Sequence, residues 1–181
     1  KIGAVDKAPY KLYDAVKEAH MVILAMPVLA IRDMMETIAD MISPGCVVTD
    51  TGSTKGAIMA WAEECLPKGV SFVGGHPMAG KELSGIDAAD AALFQGSRYV
   101  IIPGANASKE ATKSVIDLAE LLEARPYFLD VSEHDSYVAA VSHLPIIMSS
   151  ALVSATTRSP SWREISKLAS TGFRDVSRLA S

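Results

Sequence analysis

Two side chains in the sequence sit where proton chemistry is commonly done. Ser53 lies in Thr51-Gly52-Ser53-Thr54-Lys55-Gly56, and His76 lies in Gly74-Gly75-His76-Pro77-Met78-Ala79-Gly80. Each stretch follows a short apolar run, Cys46-Val47-Val48 and Val70 to Val73, of the kind that forms a strand buried on both faces. In an open parallel sheet, ligands bind in the crevice beyond the carboxyl ends of the strands. If both runs belong to one such sheet, the hydroxyl and the imidazole reach the same crevice. An imidazole, whose unperturbed pKa is about 6.5, can then take a proton from a bound alcohol near neutral pH. Both residues also have a plain structural reading: Ser53 as the N-cap of a helix starting at Thr54, and His76 as a loop residue bonded to nearby backbone.

The elements that must position these residues follow from hydrophobic pattern. Leu12 to Ala19 reads as a short amphipathic helix, and Met21 to Ala25 as a buried strand closed by Pro27. Leu29 to Met41 carries Ile31, Met34, Met35, Ile38 and Met41 at helical spacing and stops at Pro44-Gly45. A strand over Cys46 to Thr49, a helix from about Thr54 to Cys65 and a strand over Val70 to Val73 come next. Tyr99 to Ile102 is a further strand. Ser108 to Glu123 is a helix, with Ser108 as its N-cap and Glu110 in its first turn. Tyr127 to Leu129 is a last short strand. Strands and helices alternate and the strands are continuously apolar, which predicts an α/β, Rossmann-like, doubly wound parallel sheet.

After Asp130 the grammar changes. Ser132-Glu133-His134-Asp135 opens a long helical pattern through Ala155, with Pro145 inside it, where a missing N–H should kink the helix. The expected organisation is therefore a sheet domain over residues 1–130 and the start of an all-helical domain over 131–181. Nothing before Met21 offers the G-x-G-x-x-G turn that cradles a pyrophosphate on a helix N-terminus. The chain is expected to be a fragment or the ordered part of a longer protein.

Bulk properties narrow the partners. The chain has 181 residues, 49% of them hydrophobic, and a formal net charge of -4, with no run of five like charges. That gives no support for a nucleic-acid or membrane-surface partner. The longest uninterrupted apolar stretch, Met21 to Ile31, is too short to span a bilayer. No signal peptide is recognisable, and Cys46 and Cys65 read as free thiols of a reducing cytoplasm. No metal-ligand spacing is visible.

The pieces VILAMPV, TDTGSTKG, GGHPMAGKELSG, EHDSYVAAVSHLP and GFRDVSRLAS, in this order, resemble the prephenate and arogenate dehydrogenase family of tyrosine biosynthesis. The resemblance covers most of the chain from residue 15 on, and GGHPMAG followed by SHLP is its most specific pair. It implies a reaction: a cyclohexadienol bearing a ring carboxylate gives hydride to NAD or NADP, carbon dioxide leaves, and the ring becomes aromatic. The product is 4-hydroxyphenylpyruvate from prephenate, or tyrosine from arogenate. It also implies a cytoplasmic homodimer acting on a small molecule.

Residue by residue, the resemblance makes His76 the catalytic histidine and Ser53 its hydrogen-bonding partner near the nicotinamide. Glu82 matches an acidic residue of the substrate network, and Ser142 and His143 match a second histidine region. Arg178 matches an arginine that pairs with a substrate carboxylate, a task suited to a guanidinium fork. Met26, Pro27, Thr51, Gly52 and Ser53 match segments lining the nicotinamide half of the pocket. The chain departs from the family in two places. It reads His143-Leu144-Pro145-Ile146 where H-L-P-H is frequent, which leaves arogenate open as substrate. Thr171 also replaces one of two glycines before Phe173. Two rival readings stand beside this one: a hydroxyacid-type dehydrogenase, against which the absence of lysine from Ser132 to Thr157 speaks, and a non-catalytic nucleotide-sensing module.

Overall fold

The computed structural model describes residues 5–81 and 85–180. The chain divides into two compact units between His134 and Asp135. The first holds a five-stranded sheet in the order β1-β2-β3-β4-β5, made of Met21–Leu24, Val47–Asp50, Ser71–Pro77, Arg98–Pro103 and Arg125–Phe128. Helix α1 (Leu12–Val16) precedes β1, and α2 (Val28–Ile38), α3 (Gly56–Cys65) and α4 (Lys109–Leu121) link β1 to β2, β2 to β3 and β4 to β5.

Alternation along the strands sorts the core into two layers. Val48, Phe72, Val100 and Ile102 face one side, where Ile31, Met35 and Ile38 of α2 and Ile58, Met59 and Ala62 of α3 cover them. Val47, Val73, Tyr99 and Ile101 face the other side, under Ala111, Val115 and Ala119 of α4. A side chain of this size taken fully out of water contributes about 1.5–3 kcal/mol. Because both faces are covered, the strands read as continuous apolar runs rather than alternating ones. The methionines of α2 are packing residues: Met35 is buried and Met34 lies against the same cluster. Ser108 caps α4 as expected, accepting a hydrogen bond from the Ala111 N–H at 3.0 Å.

The sheet is Rossmann-like and mostly parallel, with one reversal that the sequence pattern does not reveal. β1, β2 and β3 are parallel neighbours, β4 pairs with β3 antiparallel, and β5 is parallel to β4. A parallel return requires a crossover, usually a helix laid on the sheet. Among the described residues between β3 and β4 the only helical piece is a single 3₁₀ turn, Ile86–Ala88. The chain therefore re-enters the sheet from the end at which it left.

That reversal lengthens β3. The apolar run stops at Val73, but the strand continues to Pro77, because Gly74, Gly75, His76 and Pro77 pair with Ile102, Ile101, Val100 and Tyr99 of β4. His76 thus stands on a strand, where a loop was expected.

The second unit is helical. A π-helical turn, Ala139–His143, separates α5 (Val131–Val138) from α6 (Leu144–Thr157). Pro145 accounts for this widening, since it has no N–H for the carbonyl one turn back. α7 (Trp162–Leu168) and α8 (Thr171–Ser177) follow, and α6 packs on α8 and on the 3₁₀ turn Arg178–Ala180. Trp162 and Phe173 meet with ring centroids 5.9 Å apart. By length and composition alone the helical run Val131–Thr157 would suffice to cross a membrane. Polar residues interrupt it, so no uninterrupted apolar stretch marks it in the sequence.

The junction of β2, β3 and β4 is tightly built. A methyl group on Gly75 would lie 2.5 Å from the Asp50 carbonyl oxygen and 2.9 Å from the Tyr99 hydroxyl. Overpacking of this kind costs about 1–3 kcal/mol. Gly75→Ala is expected to lower unfolding stability by that amount, read as a fall in the urea midpoint at unchanged slope. An unchanged midpoint would show that the strands part easily at this point.

Candidate active site

The carboxyl end of β2 is fixed by buried charges. Asp50, the last residue of β2, and Lys55, which precedes α3, are both fully buried and form an ion pair. Both also bind Gly75 of β3: the Gly75 N–H donates to Asp50 Oδ1 at 3.1 Å, and Lys55 Nζ donates to the Gly75 carbonyl at 2.7 Å. The Gly52 N–H donates to Asp50 Oδ2 at 2.8 Å. The loop Thr51-Gly52-Ser53-Thr54 is therefore a short arch whose two feet, Asp50 and Lys55, stand on the residue next to His76. A Cβ on Gly52 would fall 2.5 Å from Ile58 Cδ1, so a larger residue there would displace that side chain.

Burial pushes the Asp50 carboxyl up from its ordinary range, opposed by Lys55 and by the N–H groups of Gly75 and Gly52. The same burial, with Asp50 nearby, pushes the Tyr99 phenol up to about 12. Desolvation thus consumes much of what the pair's attraction supplies, as is usual for buried ion pairs. Their contribution is geometric: in this arrangement of β2, β3 and the arch the two buried charges meet each other and the backbone of Gly75.

Ser53 is exposed at the top of this arch. It does not cap α3: the N-cap is Lys55, and no side chain caps the helix. The helix begins at Gly56, two residues later than expected, because Lys55 turns inward. His76 is half-buried on β3. Its Nδ1 lies 2.8 Å from Nε2 of His134, whose ring is fully buried and meets it edge-on. His134 stands in the first turn of α5, and a reciprocal cap fixes that turn. Asp130 Oδ1 accepts the Glu133 N–H at 2.8 Å, and Glu133 Oε2 accepts the Asp130 N–H at 3.3 Å. The Asp130 carboxyl is held below its ordinary range, chiefly by the Glu133 N–H.

Met26 and Pro27 follow β1 directly beside this region. β1 and β2 are parallel with Leu24 opposite Asp50, and the Thr51 N–H donates to the Leu24 carbonyl at 3.3 Å. Met26 is half-buried against the core, and exposed Pro27 forms the N-cap of α2. Met26, Pro27, Thr51, Gly52, Ser53 and His76 therefore share the carboxyl ends of three adjacent parallel strands. Ser142 and His143 lie in the π-helical turn of the second unit, both half-buried, and Arg178 is exposed at the end of α8. Arg174 and Asp175 pair at 3.6 Å. Glu82 lies outside the described residues. A separate cavity of about 450 Å³ opens at the opposite end of the sheet, between α3, the start of β3 and Gly104-Ala105-Asn106, and touches none of these residues.

With this geometry in place, the comparisons are decisive for kinship. Residues 1–128 match the family model for the prephenate dehydrogenase nucleotide-binding domain, and residues 130–181 match that for the prephenate dehydrogenase dimerization domain. The chain belongs to the prephenate dehydrogenase family. Prephenate dehydrogenase of Bacillus subtilis (strain 168) is 36% identical over 183 residues, an alignment covering 100% of this chain and 49% of that protein. The chain thus spans about half the length of this relative. Among solved structures, arogenate dehydrogenase of Synechocystis superposes with a TM-score of 0.79 at 32% identity, covering 93% of this chain and 61% of that one. Prephenate dehydrogenase of A. aeolicus, in complex with hydroxyphenyl propionate and NAD+, gives 0.81 at 31% identity, covering 89% and 56%.

Two parts of the arrangement escaped the sequence reading. The Asp50–Lys55 pair lies inside TDTGSTKG, where the sequence alone marks only Thr51, Gly52 and Ser53 as site residues. His134, which the sequence shows only as part of the opening of a helical pattern, lies on the buried stripe of α5 with Val131 and Val138. Lys55→Met would leave the Asp50 carboxyl buried without its cation, and breaking one partner of such a pair costs about 3–5 kcal/mol. A loss of that size in chemical unfolding is expected, and most of it should return in Asp50→Asn/Lys55→Met. A double variant as unstable as the single one would mean that the lysine stem, and not its charge, holds the junction.

Proposed function

We propose that this chain is part of a cytoplasmic, homodimeric NAD(P)-dependent dehydrogenase that oxidatively decarboxylates prephenate to 4-hydroxyphenylpyruvate, or arogenate to tyrosine. The observation that carries the reading is His76, held on a rigid strand at the same sheet edge as the Ser53 arch. Its Nδ1 lies 2.8 Å from Nε2 of the buried His134. The kinship reported above supplies the reaction class.

The residues fit the nicotinamide end of a dinucleotide. Half-buried Met26 offers an apolar floor, and exposed Pro27 and Ser53 flank it where two parallel strands end, the usual place for such a ligand. When bound, NAD(P)+ accepts the hydride. His76 accepts the proton of the substrate's ring hydroxyl, and Ser53 orients that hydroxyl. The family resemblance assigns Arg178 to a substrate carboxylate and Ser142 and His143 to the substrate's side chain; Glu82, assigned to the polar network, lies outside the described residues. Loss of carbon dioxide aromatises the ring, so the residues need only orient and deprotonate. The second unit exposes Val141, Leu144, Ile146, Ile147 and Met148, each between 44% and 70% accessible. A second copy of the chain covering this apolar surface is the simplest way to remove it from water.

In the full-length protein, His76→Asn is expected to lower kcat by about 10²–10⁴-fold and leave the dissociation constant for NAD(P)H nearly unchanged. Turnover at the unsubstituted rate rejects the assignment. Arg178→Ala is expected to raise KM roughly 10–100-fold, the loss of a charge-assisted hydrogen bond, with kcat little changed. An unaltered KM removes Arg178 from substrate binding. Running both variants with prephenate and with arogenate also identifies the substrate.

A further inference from the structure

We propose that His134 is the positioning residue for His76: it accepts the His76 Nδ1–H and so holds neutral His76 in the tautomer whose Nε2 carries the lone pair. This rests on the dehydrogenase reading only for the direction of the hydrogen bond. The bond itself is given by geometry, 2.8 Å between His76 Nδ1 and His134 Nε2.

Two imidazole nitrogens at that distance share one proton, so one ring must donate and the other accept. For His76 to take the hydroxyl proton at Nε2, its Nδ1 must already be protonated. His134 Nε2 is then the bare acceptor. When the substrate proton arrives, His76 becomes a cation with both nitrogens protonated and continues to donate to His134. The pairing asks only that His134 accept: its ring is the fully buried member of the pair and His76 the half-buried one. The proton remains on His76, at the less buried side of the pair, from which it can leave to solvent.

The arrangement parallels that of a carboxylate behind a catalytic histidine, which sets tautomer and orientation without itself being protonated. A neutral partner differs in one respect. It adds no negative charge next to a substrate that itself carries carboxylates, so orientation is obtained without repelling the ligand. The fold supports this assignment, because the Asp130–Glu133 cap fixes the first turn of α5 and hence the place from which His134 reaches β3.

The test separates tautomer from turnover. In protein carrying ¹⁵N-labelled histidine, long-range ¹H–¹⁵N spectra should show His76 protonated at Nδ1. They should show the other tautomer, or a mixture, in His134→Leu. Activity should fall about 10²-fold in kcat for His134→Leu with KM within a few-fold. It should recover largely in His134→Gln, whose side-chain oxygen can stand near the lost Nε2. Finding His76 protonated at Nε2 in the unsubstituted protein overturns the proposal whatever the substrate proves to be. So does equal loss of kcat in the Leu and Gln variants when both are folded by circular dichroism. A correct tautomer in a protein that oxidises neither prephenate nor arogenate would instead reject the reaction and leave the pairing intact.

Discussion

The buried contact of Asp50 and Lys55 with Gly75 is the constraint on which the sheet's functional edge depends. Two adjacent parallel strands could slide or splay at their carboxyl ends, where regular pairing runs out and loops begin. Here β2 ends in a carboxylate and α3 is preceded by an ammonium, and both are bonded to one residue of β3. Any shift of register would leave a charge in the core unpaired, at a cost of several kcal/mol. The pair therefore selects one geometry more than it adds stability, in keeping with the upward push that burial gives the Asp50 carboxyl.

The reversal of β4 completes this device. Had β4 run parallel, β3 would have ended at Val73 and His76 would have sat on a loop. Pairing with β4 carries β3 through His76, three residues beyond its last pairing with β2 at Val73, and on to Pro77, so the imidazole inherits the rigidity of a paired strand. Functional groups on strands are held more closely than those on loops. The glycines at 74 and 75 serve the same end. A side chain at Gly74 would strike Met59 Sδ at 2.9 Å, and one at Gly75 would strike β2 and Tyr99, so this segment can pack between its neighbours only bare.

Much of this was legible in the letters. Buried strands announce themselves as short apolar runs, which is why β1, β2, β3 and β4 were placed to within a few residues. The N-cap at Ser108 followed from its hydroxyl and the acidic first turn behind it. What was not legible depended on contacts distant in sequence. The direction of β4 is decided by the missing crossover helix, and Gly74-Gly75-His76 carries no strand signal of its own because a partner strand supplies it. Nothing local in the sequence says that the Lys55 ammonium turns inward to Asp50. His134 could have been found from its place on the apolar stripe of α5, but its partner lies 58 positions away.

The two units draw cohesion from different sources. The sheet unit is closed on itself: residues on both faces are covered by its own helices, and its buried ion pair is bonded to its own backbone at Gly75. The helical unit is not. Its longest helix, α6, contributes one buried residue, Ser149, and turns Ile146, Ile147 and Met148 outward. Apolar area of that extent in water is a standing drive toward association, at about 25 cal/mol for each Å² removed. Under the proposed function this asymmetry has a use. On that proposal, the strand edge assigned to proton transfer is held within its own unit, whereas the surface bearing Ser142 and His143 would be completed by the assembly. Substrate recognition, and not the proton-transfer step, is then the part of the chemistry most sensitive to whether the chains are paired.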